Sequence, residues 1–205
     1  MIDFEALKKA VMTGKRNDVA AIVQAAIDGK EDINQILDQG MIPAMREIGD
    51  KFSRNEVYVP ELLIAARAMQ AGLSLIEPLL ASSGRKSLGK VAIGTVKGDL
   101  HDIGKNLVAI MLKGAGYDVI DLGVNCDTEK YKGALEQGAQ ILACSALLTT
   151  TMPYMKEVVN AFKGKAKIII GGAPVTQAFA DEIGADGYSD DANGAVKLVD
   201  RLMKG

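Results

Sequence analysis

Tryptophan is absent, aromatic residues make up 4% of the 205-residue chain, and a single histidine, His101, is present. So few aromatics argue against a base-stacking platform for single-stranded nucleic acid. The charge points the same way: Lys and Arg number 24 against 26 Asp and Glu, a net of -2, where a phosphate-binding surface shows a basic excess or stripe. One imidazole rules out a His-rich metal centre. The two cysteines, Cys126 and Cys144, fit no zinc or CxxC spacing and are too few for a disulfide framework, so a reducing cytoplasm is expected. The start, MIDFEALKKAV, lacks the basic and apolar regions of a signal peptide, and Arg67 interrupts the longest apolar stretch, so no membrane association is expected. What is abundant is ordinary core material: 48% hydrophobic residues, 24% charged, and a mean hydropathy of +0.12, the profile of a soluble folded protein.

Glycine divides the chain. Six of the 22 precede Gly89 and sixteen lie from there on, which marks a change of architecture near the polar segment Ser82-Ser83-Gly84-Arg85-Lys86-Ser87. A helical domain over 1–87, with its linker at about 82–87, and an α/β domain over 88–205 are predicted. Upstream, apolar residues recur at helical spacing: Phe4, Leu7 and Val11; then Val19, Ile22, Val23, Ala26 and Ile27; then Ile36, Leu37, Met41, Met45, Ile48 and Phe52 behind an Asp32/Gln35 capping box; and finally Leu62, Ala65, Ala66, Met69, Leu73 and Ile76 behind Pro60. Four such faces joined by short connections predict a four-helix bundle.

Downstream, β-rich runs at 91–96, 119–122, 141–145, 168–170 and 187–189 alternate with helical patterns at 104–113, 129–137, 152–162, 177–183 and 192–203. A βα repeat predicts a five-stranded parallel sheet covered on both faces, Rossmann-like in construction and flavodoxin-like in its 2-1-3-4-5 order. Ligands of such sheets bind at the switch point between the first and third strands. Here that means the loops after Val96 and Ser145.

The first of those loops reads Lys97-Gly98-Asp99-Leu100-His101-Asp102-Ile103-Gly104-Lys105-Asn106 and holds the one histidine. An Asp two residues before a His can take one ring N–H, fixing the tautomer and leaving the other nitrogen for a metal or a proton. The second loop offers four hydroxyls to the same crevice, from Ser145, Thr149, Thr150 and Thr151. Gly171-Gly172 closes the fourth strand, where missing Cβ atoms let a bulky ligand approach the backbone. Each feature also has an ordinary structural reading: a solvated His, hydroxyls capping a helix, a glycine turn, and a buried inert Cys144. The spacing between Gly98 and Gly104 is wrong for a phosphate loop, no G-x-G-x-x-G follows the first strand, and a receiver-like signalling domain would need acidic residues from two strands and a Lys at the fifth.

Taken together, Asp99-x-His101-x-x-Gly104, Ser145-x-Leu147 and Gly171-Gly172 resemble the three-part signature of cobalamin-binding domains that hold the cofactor base-off and His-on. With the helical segment in front, nearly the whole chain is similar to the corrinoid methyl carriers of methanol, methylamine and O-demethylase systems and to the cobalamin module of methionine synthase. The resemblance implies that His101 is the lower ligand to cobalt, that Asp99 accepts from its other nitrogen, and that Thr151 completes the relay. It further implies that Gly98, Leu100, Asp102, Ile103 and Gly104 of the same loop contact the corrinoid. Ser145, Leu147, Thr149, Gly171, Gly172, Ala173 and Ala192 would line its nucleotide tail. In the helical cap, Phe52 and Val59 match positions that shield the upper face, Val59 in place of a bulkier Leu. The implied role is that of a non-catalytic corrinoid subunit. It accepts a methyl group on cobalt(I) from a substrate-specific methyltransferase and passes it to an acceptor methyltransferase using tetrahydrofolate or a thiol. A corrinoid reductive activase is the third implied partner. A cobalamin-dependent sensor module and a mutase cobalamin subunit are the alternatives.

Overall fold

The computed structural model describes residues 2–83 and 87–204. The chain divides into two compact units, Met1–Lys86 with Gly114–Gly116, and Ser87–Lys113 with Tyr117–Gly205.

The helical unit contains α1 (Phe4–Met12), α2 (Arg16–Asp28), a short α3 (Ile33–Gln35) running through a π-helical segment (Ile36–Met41) into α4 (Ile42–Ser53), and α5 (Val59–Ser83). Asp3 and Asp32 cap α1 and α3, accepting from the N–H groups of Ala6 and Asn34. The third helix is therefore not the uniform one expected. Pro43 has no N–H and its ring crowds the carbonyl four residues back, so the ladder widens over the preceding turn. The apolar face nevertheless survives, with Ile36, Leu37, Met41, Met45 and Ile48 all buried beside Leu7, Val11, Val19 and Val23. The segment Val59–Leu79 of α5 is long and apolar enough to cross a membrane by length and composition, despite Arg67. Its buried residues Leu62, Ala65, Ala68, Met69 and Ile76 pack against the other helices instead, and a Cβ at position 72 would meet Val19 at 2.9 Å. Of the expected linker at about 82–87, Ser82 and Ser83 still belong to α5, since serine costs a helix little, and residues 84–86 lie outside the described residues.

The second unit is a parallel sheet of order β2-β1-β3-β4-β5, as the alternation of elements predicts. Its strands are β1 (Lys90–Thr95), β2 (Asp118–Asp121), β3 (Ile141–Ser145), β4 (Lys167–Gly171) and β5 (Gly187–Ser189). The helices between and after them are α6 (Ile103–Gly114), α7 (Thr128–Glu136), α8 (Pro153–Phe162), α9 (Gln177–Ile183) and α10 (Ala192–Lys204). β3 and β5 fall where the sequence reading puts them, and the bounds of β1, β2 and β4 differ by one residue because neighbours decide them. Val96, expected in β1, makes only an isolated bridge to Cys126 while its N–H donates to the Ser145 carbonyl. The central strands β1, β3 and β4 are buried on both faces, as helix-covered parallel strands must be, whereas β2 and β5 at the edges are only partly covered. In register, Thr95 of β1 stands beside Ser145 of β3, and Ser145 beside Gly171 of β4. The three loops singled out in the sequence thus leave the sheet side by side, at its C-terminal edge.

Candidate functional site: a buried carboxylate holding one imidazole

Asp99 is the centre of the site. Its side chain is 0% exposed, a costly place for a carboxylate unless every lone pair is used. One oxygen, Oδ1, accepts from the His101 main-chain N–H at 3.0 Å and lies 2.7 Å from Nδ1 of the His101 ring. The other, Oδ2, accepts from the Leu147 N–H at 2.8 Å, the Leu148 N–H at 3.3 Å and the Thr151 hydroxyl at 2.8 Å. Burial pushes the carboxyl's pKa up, but the bonds from Leu147, the His101 main chain, the His101 ring and Thr151 together hold it well below the usual carboxylate range. Asp99 is thus ionised and can only accept, so the ring nitrogen facing it carries the proton. In the neutral ring that leaves the lone pair on Nε2, on a side chain that is 50% exposed.

The loop that brings this about turns at a glycine. Gly98 turns with φ +84, a left-handed conformation open to glycine, and its N–H donates to the Asn125 side-chain oxygen at 2.8 Å. Asn125 also uses its main-chain N–H, on the Asp99 carbonyl at 3.0 Å. Thr95, fully buried at the end of β1, donates its hydroxyl to the His101 carbonyl at 2.7 Å. Behind the loop, buried Lys105 pairs with Asp121 at 2.6 Å and donates to Asn106 at 2.6 Å, and Asn106 in turn donates to Asp102. Thr95, Asn125, Leu148 and the Lys105–Asp121 pair were not legible as site residues in the sequence. A residue in a loop after a strand carries no mark of the partner it will meet 27 or 49 positions away.

Of the four expected hydroxyls, the structure brings only Thr151 to Asp99. Ser145 is half-buried, and Thr149 and Thr150 are exposed. Thr151 does not cap α8, which has no side-chain cap. Gly172, with φ +128, lies so close to the Ala146 carbonyl that an added Cβ would overlap that oxygen, and a Cβ at Gly171 would sit 3.0 Å from the Ser189 carbonyl. Ala173 is exposed, but Ala192 is buried at the start of α10. Gly104 has nothing within 4 Å of where its Cβ would stand. Exposed apolar side chains accompany His101, with Leu100 and Ile103 71% and 80% exposed and Leu147 and Leu148 exposed as well, beside the exposed Asp102. In the helical unit Phe52 is half-buried and Val59 exposed. The cysteines are passive. Cys144 is buried and its thiol pushed up to about 12, and Cys126, in a loop as expected, is nonetheless fully buried with its thiol donating to the Leu122 and Gly123 carbonyls.

This chemistry fits one kind of ligand. Among the described residues no group of three or more His, Cys, Asp or Glu could hold a metal ion. A single free imidazole nitrogen in an apolar surround suits a metal that brings its own equatorial ligands in a flat macrocycle, so that the protein need supply only an axial one. It does not suit the acidic pocket of a receiver domain, because Asp99 is buried and fully engaged. Fold and site together define a B12-binding protein. The chain belongs to the corrinoid-protein family: residues 89–197 match the B12 binding domain and residues 3–77 match a second B12 binding domain family. It is 39% identical to a corrinoid protein of Desulfitobacterium hafniense, over 96% of this chain and 95% of that one. It is 38% identical, with the same coverage, to dimethylamine corrinoid protein 1 of Methanosarcina acetivorans. Among solved structures it matches the methanol:cobalamin methyltransferase complex of Methanosarcina barkeri with a TM-score of 0.87 and 30% identity, covering 98% of this chain and 79% of that one.

Proposed function

We propose that this protein is a methyl-carrying corrinoid subunit that holds cobalamin through His101, with the cofactor's own base displaced. The observation that carries the reading is the 2.7 Å contact between Asp99 and Nδ1 of His101, which leaves Nε2 as a half-exposed lone pair among apolar side chains. Bound cobalamin supplies a cobalt centre that takes up and gives back a methyl group. The chain's own residues then have distinct tasks. His101 would supply the nitrogen that holds the cobalt. Asp99 fixes its tautomer and stabilises the imidazolium whenever Nε2 takes a proton instead, and Thr151 keeps the carboxylate oriented. Leu100, Ile103, Leu147 and Leu148 exclude water around the ring. Gly98, Asp102 and Gly104 would shape the loop that receives the cofactor, and Ser145, Thr149, Gly171, Gly172, Ala173 and Ala192 would line the place of its nucleotide tail. Phe52 and Val59 are the helical unit's own proposed cofactor contacts.

The relatives support the carrier role. The two matched by sequence are corrinoid proteins along their whole length, one of them for dimethylamine, and the matched structure is a complex with a methyltransferase. The proposed partners are a substrate-specific methyltransferase, the class that the matched complex supports, together with an acceptor methyltransferase and a reductive activase, in a proposed cytoplasmic one-carbon pathway. The match of the helical unit to a B12 binding domain favours a carrier over a mutase subunit, which needs no such cap. The test is the electron paramagnetic resonance spectrum of the protein reconstituted with cobalt(II) cobalamin, prepared with ordinary and with nitrogen-15 histidine. A triplet that becomes a doublet identifies His101, since the chain has no other histidine. An unchanged splitting would mean that the cofactor's own base stays bound and that His101 is not the ligand.

A further inference from the structure

We infer that Thr95 is a positioning residue for the His101 imidazole: its buried hydroxyl pins the His101 main chain so that Nε2 stays aimed outward. This rests on His101 being the axial ligand. Packing cannot do the pinning. The His101 side chain is 50% exposed, Leu100 before it is 71% exposed, and the loop from Lys97 to Asp102 has no ladder of its own. Asp99 holds the residue from one side, through the main-chain N–H and the ring. On the other side the bond to the His101 carbonyl is from Thr95 Oγ1, at 2.7 Å.

Thr95 is well suited to that task. It is the last residue of β1 and is 0% exposed. Its main chain is locked, with the N–H donating to the Gly123 carbonyl at 3.0 Å and the carbonyl accepting from the Cys126 N–H at 2.9 Å. The hydroxyl is therefore presented from a rigid strand end, and a β-branched residue has few rotamers through which to withdraw it. A buried hydroxyl with no acceptor is costly, and valine would fill the same space, so the choice of threonine is explained by the bond it makes. With both sides held, the imidazole pivots on a fixed Cα. With the carbonyl released, only the Asp99 side remains, and the ring and its carboxylate can swing together.

The substitutions are Thr95→Val, which keeps the shape and removes the hydroxyl, and Thr95→Ser, which keeps the hydroxyl and removes the methyl. The first readout uses the cofactor-free full chain, where the one histidine gives an unambiguous nitrogen-15 spectrum. The Nδ1 proton held by Asp99 should exchange about five-fold faster in Thr95→Val, the effect of losing one ordinary hydrogen bond. It should exchange at the parent rate in Thr95→Ser. In the cobalt(II) cobalamin form, Thr95→Val should lose the histidine-nitrogen splitting from part of the signal and Thr95→Ser should keep it. Parent exchange in Thr95→Val, or equal losses in both variants, would overturn the proposal, because the methyl or the fold would then be what matters. A lowered melting temperature with unchanged His101 signals overturns it too. Should valine prevent folding, Thr95→Ala, which also lacks the hydroxyl, is read in the same way. If the parent itself shows no histidine splitting, the ligand assignment falls, while the exchange measurement still decides what Thr95 does for the ring.

Discussion

Asp99→Asn is nearly isosteric, yet the geometry makes it a severe change and dictates which way the new side chain turns. The amide has one oxygen where the carboxylate had two. If the NH2 takes the Oδ2 position it confronts two main-chain donors, Leu147 and Leu148, as well as the Thr151 hydroxyl. If it takes the Oδ1 position it confronts one, the His101 N–H, and the ring can adapt by switching tautomer so that Nδ1 accepts. The second arrangement orphans fewer donors and should prevail. One main-chain N–H left without its acceptor costs about 1–3 kcal/mol, and the bonds that remain lose their charge assistance, about 1 kcal/mol each. Relief from burying a neutral amide instead of a charge offsets part of this. The expected net loss is about 3 kcal/mol.

Denaturant unfolding can be followed by tyrosine emission, which no tryptophan masks, and four of the five tyrosines, Tyr117, Tyr131, Tyr154 and Tyr188, belong to the α/β unit. The pH dependence has a definite sign. Folding depresses the Asp99 pKa below its usual 3.8, so its stabilisation is fully present above that value and is lost as pH falls through the lower folded value. The part of the gap between parent and variant that comes from the Asp99 charge should therefore narrow as pH falls below 3.8. Nitrogen-15 spectra should show the His101 proton moved from Nδ1 to Nε2, which leaves no lone pair facing outward. A stability change below about 1 kcal/mol, or an unchanged tautomer, would refute this account of Asp99.

Two further outcomes follow from the same geometry. Gly172→Ala places a Cβ on the Ala146 carbonyl oxygen at φ +128, so it should cost about 3 kcal/mol or more, read as a lower melting temperature, whereas Gly104→Ala, into open space, should cost far less. Cys126 and Cys144 are buried with thiols shifted upward, so a thiol reagent at about pH 8 should label neither in the folded protein and both in denaturant. Fast labelling of either in the native state would show that the α/β unit opens around that thiol.

Much of this protein is legible without coordinates, and the reason is the range over which each signal acts. Helical and strand periodicities are local, so Val19 to Ile27 and Ile141 to Ser145 declare their elements. A βα alternation leaves few sheet orders to choose among, so the switch point and the loops beside it follow. The Asp99-x-His101 spacing is local as well, and the sequence points to it correctly. The sequence also misplaces what neighbours decide: the π turn before Pro43, the late end of α5 and the last residue of β1.

The tertiary structure alone decided what surrounds the carboxylate. Asp99 meets Leu147, Leu148 and Thr151 only because β1 and β3 are adjacent in the sheet, and that contact is what keeps it ionised while buried. Asn125 reaches Gly98 because the loop after β2 folds back over the loop after β1. Of four hydroxyls near the third strand, spacing and composition do not say which turns inward; the family resemblance singles out Thr151, and packing is the physical reason that Thr151, not Thr149 or Thr150, meets Asp99. The amino-acid order fixed which groups arrive at the sheet edge. Their burial, their partners and the direction of the free imidazole nitrogen are set by contacts between segments that the order keeps far apart.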